Sequence, residues 1–161
     1  MSKAESNKTI SNWVNGKIFK GKTKKKFKKY NPHNGKVLYD VLITERKDVD
    51  TAIQIANKEF KNWSKVNPVN RGEILYRLSN KIIKSIAELS LCISEETGKS
   101  KKDAEGEVTA AYKVGQFFSG EGMRLYSNSL TSGMDNKFTH TTRSPIGVAG
   151  LIVPANTPLA N

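Results

Sequence analysis

From residue 45 to about residue 125 the chain repeats apolar side chains at three- and four-residue intervals, while the segments on either side alternate instead. That change of period confines the fold to a helical layer attached to β-structure at both ends, an α/β class. Val49, Ala52, Ile53, Ala56, Phe60 and Trp63 fall on one face of a first helix, with Thr44 expected to cap it ahead of the acids in its first turn. Asn67-Pro68 opens a second helix with proline at its first position. Its apolar face is Leu75, Leu78, Ile82 and Ile86, and the pattern continues or restarts through Leu89, Cys92 and Ile93 before Thr97-Gly98 stops it. A third helix begins near Ser100 and runs through Ala104, Val108, Ala111, Tyr112 and Phe118.

Residues 13–43 read as short strands. Asn15-Gly16 between "WV" and "KIF" signals a hairpin turn. Asn31-Pro32-His33-Asn34-Gly35 is a second turn, followed by the strand "KVLYDVLI". After the helices, "SNSLTSGMDN" at 127–136 is polar and loop-like, and "KFTHTTR" alternates as a strand does. "GVAGLIV" is a continuous apolar run; as a strand it requires burial on both faces, as in a parallel sheet.

The formal charge of +12 is concentrated near the start: residues 1–30 hold ten lysines and one acid, Glu5. Clustered lysines suit phosphates, and Phe19, Phe27 and Tyr30 offer faces for stacking. The segment has no arginine, however, and Lys26 to Tyr30 alternates as an exposed edge strand whose lysines discourage aggregation. The edge-strand reading is therefore preferred to a nucleic-acid partner. No apolar stretch approaches the roughly 18 residues of a membrane helix, and the first residues lack the apolar core of a secretory signal. A single cysteine excludes an internal disulfide and fits a reducing compartment, so a cytoplasmic location is expected.

Few residues carry candidate chemistry. "EETGKS" resembles the end of a phosphate-binding loop but has Ile93 where a glycine is needed and a helix where a strand is needed. Gly147 and Gly150 do not have dinucleotide-fingerprint spacing. His33, His140 and Cys92 are too scattered to form a metal set, so no metal site is expected. Cys92 reads as a small core residue rather than a nucleophile, and Glu95 and Glu96 as a solvated helix end. Asn156 has two readings. It lies between Pro154 and Pro158, just past a strand end, where α/β proteins place their sites. Its neutral amide suits an oxygen that becomes negative during reaction. A turn asparagine bonding its own backbone is the commoner role, and the residues alone favour it.

Five motifs, in order, resemble the N-terminal part of the aldehyde dehydrogenase superfamily. They are "NWVNGKIFKG", "KYNPHNGKVLYDV", "DVDTAIQIANKEFKNWSKVNPVNRGEILYRLSNKI", "ISEETGKSKKDAEGEV" and "RSPIGVAGLIVPANTPLAN". The resemblance implies an incomplete α/β fold: a β-hairpin, a helical layer, an oligomerisation strand and the first strand of a Rossmann-like parallel sheet. It divides the chain into a flexible N-terminus (1–12), a hairpin and helical part of the cofactor-binding domain (13–126), a loop with a bridging strand (127–144) and the start of the nucleotide-binding sheet with its active-site loop (145–161). It implies that Asn156 is the oxyanion donor for a thiohemiacetal formed when a cysteine attacks the aldehyde. Ile152, Val153, Pro154 and Ala155 would line the cleft for NAD or NADP, and Pro145 and Gly147 would shape entry into the strand. Ala155 and Thr157 depart from the family's aromatic and Phe, which bears on the substrate tunnel.

The implied partners are an aldehyde and further copies of the parent enzyme in a homo-oligomer. The nucleophile and general base would fall beyond Asn161, so the chain alone is expected to be inactive. The alternatives are a non-catalytic oligomerisation module or, less favoured, a basic nucleic-acid-binding module.

Overall fold

The structure, a computed structural model, describes residues 8–161. Most of the flexible N-terminus expected over 1–12 lies outside the described residues, but Thr9–Ile10 form a strand, β1. β2 (Asn12–Val14) and β3 (Lys17–Phe19) make the expected hairpin. Asn15 and Gly16 both take positive φ, 52° and 72°, as a two-residue hairpin turn of this hand requires. β4 (Lys26–Tyr30) pairs antiparallel with β5 (Val37–Leu42), and β1 pairs parallel with the other side of β5. β4 is therefore an edge strand carrying lysines, as its pattern predicts. The turn between them is held by the buried Asn31, whose Oδ1 accepts the His33 N–H at 2.9 Å.

Four helices follow: α1 (Arg46–Trp63), α2 (Pro68–Lys84), α3 (Ile86–Thr97) and α4 (Lys101–Ser119). Asn67 caps α2, its Oδ1 accepting the Val69 N–H at 2.9 Å, and Ser100 caps α4, accepting from Asp103 at 3.1 Å. The pattern restarts rather than continues at Ser85, and Gly98 closes α3 in the left-handed conformation, φ 79°. Thr44 does not cap α1. Glu45 takes that position, with its N–H donated to the buried Asp48 carboxylate at 3.4 Å, because the Thr44 hydroxyl is engaged by the Asn12 amide at 2.9 Å.

The core lies where α4 meets α2 and α3. Ile93, Ala104 and Val108 are buried, with Ile82, Ile86, Leu89 and Leu159 packed against them. Close approach of α2 and α4 rests on small residues. A Cβ at Gly115 would overlap the Ser79 hydroxyl, and one at Gly72 the Ser119 carbonyl. Parts of the predicted apolar faces stay open. Leu78 of α2 and Val49, Ile53 and Trp63 of α1 lie on predicted apolar faces yet are about half exposed, since no described element covers them.

Two further expectations are corrected. Part of the polar stretch 127–136 is not loop: Ser129–Thr131 form β6, which pairs antiparallel with β7 (Phe138–His140). The run "GVAGLIV" forms no strand among the described residues, because no other strand lies beside it to share a ladder. Its side chains are accordingly poorly covered, Val148 and Val153 about half exposed and Ile152 fully.

Candidate active site

Residues 155–160 fold into turns after that unpaired run, and Asn156 lies there, exposed. The turn is fastened to the helical layer. Glu107, on α4, is buried, and its Oε1 accepts the Leu159 N–H at 2.8 Å. Its Oε2 forms an ion pair with the Lys99 ammonium. Burial alone raises the Glu107 pKa, but the Lys99 ammonium and the N–H groups of Leu159 and Ala160 outweigh it and hold the carboxyl below its ordinary value. The Leu159 side chain completes the attachment by packing on the core cluster.

Asn156 and Ala155 border a cleft of about 490 Å³ shared with Lys29, Glu96, Lys99 and Pro158. The Asn156 side chain is not used as a turn asparagine. Asn31, Asn34 and Asn67 each accept the N–H two residues on, whereas the Asn156 amide bonds no described residue.

Glu96 is not a solvated helix end. It accepts hydrogen bonds from the Tyr39 hydroxyl of β5 and from Cys92 Sγ, the latter at 3.6 Å. Burial and the Glu96 charge push the Tyr39 hydroxyl well above its ordinary pKa. The Cys92 thiol is raised too, first by burial and then by Glu96. Cys92 is nevertheless exposed rather than a core residue. With its thiolate disfavoured, it is a poor nucleophile at neutral pH.

Of the residues expected near a cofactor, Val153 is partly covered, Ile152 stands fully in solvent, and Pro154 and Ala155 lead into the turn. A groove of about 440 Å³ between α2 and the end of α4, lined by Trp63, Leu75 and Phe118 among others, is mainly apolar and lies apart from Asn156. Among the described residues no helix is long and apolar enough to cross a membrane.

Sequence reasoning missed Lys99, Tyr39 and above all Glu107. The signal for Glu107 was present: with Ala104, Val108 and Ala111 it falls at helical spacing on one face, a charge inside an apolar stripe.

The model of the aldehyde dehydrogenase family matches residues 18–161. The malonate-semialdehyde dehydrogenase 2 of Oceanobacillus iheyensis is 32% identical over 152 residues, 94% of this chain and 31% of the relative. The alpha-ketoglutaric semialdehyde dehydrogenase of Bacillus subtilis is 30% identical over 161 residues, 99% of this chain and 33% of the relative. The crystal structure of an NADP-dependent enzyme of E. coli superposes with a TM-score of 0.90 at 27% identity, over 93% of this chain and 31% of that one. The chain thus spans about a third of the length of the relatives it matches.

Proposed function

The chain belongs to the aldehyde dehydrogenase family, and we propose that it is the N-terminal part of an enzyme that oxidises an aldehyde to an acid or acyl derivative with NAD or NADP. The observation that carries this reading is the unengaged Asn156 amide at the mouth of the cleft. In the parent reaction a cysteine thiolate adds to the aldehyde carbonyl, and the carbonyl oxygen becomes negative as the thiohemiacetal forms. Asn156 donates an N–H to that oxygen. Its amide is neutral, so it needs no countercharge before the reaction, and its turn is already anchored, so little reorganisation is required as the charge develops.

Ile152, Val153, Pro154 and Ala155 are the cofactor contacts of this reading. They suit a nicotinamide ring: the run is apolar, is hydrogen-bonded to no strand, and has open space around Gly150. The cofactor supplies the hydride acceptor; these residues supply an apolar border beside it. The nucleophile and general base are not in the 161 residues, so the isolated chain turns over no aldehyde. The relatives named above act on acid semialdehydes by name, and this class is the first substrate to test.

The deciding experiment is Asn156→Ala in the complete enzyme. A fall of roughly 10²–10³-fold in kcat supports the oxyanion role, and an unchanged kcat overturns it. A second reading, an oligomerisation module, is favoured by the β6–β7 hairpin, on which Phe138 is 93% exposed. A stable dimer of the isolated chain in size-exclusion chromatography, lost in Phe138→Ser, supports it.

A further inference from the structure

Asn156 is three residues from Leu159, and Leu159 is where the turn meets the helical layer. The run before it, residues 144–154, forms no ladder with any described strand, so the Glu107 side of the turn is its described polar attachment. Glu107 is well placed to be rigid. It sits inside α4 beside Ala104, Val108 and Ala111, with its side chain 3% exposed. Lys99, its ion-pair partner, is fixed in turn: its carbonyl accepts the Ser94 hydroxyl at 2.7 Å, and it follows Gly98, whose positive φ turns the chain out of α3. A charged acceptor in so dry a site holds its donors more tightly than a neutral one does.

We propose that Glu107 is the positioning residue of the Asn156 turn: its carboxylate, held by Lys99, captures the Leu159 N–H and so sets where the Asn156 amide stands. The functional meaning of this clamp rests on the oxyanion reading of Asn156; the clamp itself does not. Glu107 touches no reacting atom. It acts through four residues of backbone. Glutamine at this position would keep the shape but could not serve both partners, since its NH₂ must face either the Lys99 ammonium or the Leu159 N–H.

The test is amide hydrogen exchange on the 161-residue chain, wild type against Glu107→Gln. The proposal expects Leu159 protection to fall roughly 10- to 100-fold, with faster exchange also at Ala155 and Asn156, while Val108 and Ala111 in α4 stay within about threefold. Unchanged protection at Leu159 overturns it. Equal loss through α4 overturns it too, because Glu107 would then support the whole layer rather than the turn. A second measurement needs no variant: in acid titration of the wild type followed by NMR, the Leu159 amide proton shift must move with the same midpoint as the Glu107 carboxyl carbon. Independent midpoints overturn the clamp even where Glu107→Gln fails to fold. Because neither readout is enzymatic activity, an unchanged kcat in Asn156→Ala would overturn the oxyanion reading while leaving the clamp to stand or fall on its own measurements.

Discussion

The N–H of Leu159 donates to Glu107 Oε1 at 2.8 Å, joining two residues 52 positions apart through one partly buried hydrogen bond. Its strength depends on a negative charge, and folding lowers the Glu107 pKa: burial opposes the charge, but Lys99 and the two backbone donors more than offset it. A carboxyl depressed on folding contributes stability above its unfolded value, and loses that contribution as pH falls through the folded value. Urea midpoints of the wild type should therefore drop as the pH is lowered below about 4.5, the ordinary value for this group. Glu107→Gln should be weaker at pH 7 by about 1–3 kcal/mol and respond less to acid.

Asn156→Ala should leave the thermal midpoint of the isolated chain unchanged, because the amide makes no hydrogen bond with a described residue and is exposed. Differential scanning calorimetry measures this. A loss of stability would mean that the side chain is spent on its own turn.

Cys92 should alkylate slowly at neutral pH despite its exposure, since burial and Glu96 disfavour the thiolate. Glu96→Gln removes the nearest negative charge and should speed reaction with iodoacetamide at pH 7.5, shifting the rate profile to lower pH. The Tyr39 hydroxyl, raised by the same carboxylate, should stay protonated throughout that range.

Two glycines of α4 should respond to alanine with opposite signs. At Gly115 a Cβ meets the Ser79 hydroxyl between packed helices, so Gly115→Ala should cost about 1–3 kcal/mol. At Gly106 nothing lies within 4 Å, so Gly106→Ala should stabilise by about 0.5–1 kcal/mol. Chemical denaturation of the pair against wild type decides both.

The local features of this fold were legible because they are set by neighbours in sequence. Asn15-Gly16, Asn67-Pro68 and Thr97-Gly98 act within a few residues, and each forms the turn, start or stop that its chemistry dictates. Thr44 misled because its hydroxyl is claimed by Asn12, 32 positions away, and Glu45 was left to begin the helix. The apolar run was legible as buried-strand composition, but a strand also needs a neighbour, and composition does not supply one. At the site, the prolines drew attention to Asn156, but only the family resemblance, not the residues alone, gave it a role. Glu107 could have been singled out, since a charge on an apolar face needs a buried partner. Which partner it had, Leu159, was not written in any spacing, because it depends on how the end of the chain folds back over α4.

The largely exposed apolar run from Ile146 to Val153 sets attraction between copies of this polypeptide against the repulsion of its excess charge. At low ionic strength +12 keeps neighbouring molecules apart. Added salt shortens the reach of that repulsion to about 10 Å at 0.1 M and strengthens the attraction between oily surfaces. The lysines of an outlying strand and the isoleucines at the far end are thus opposed colloidal forces, and light scattering should rise as salt is added.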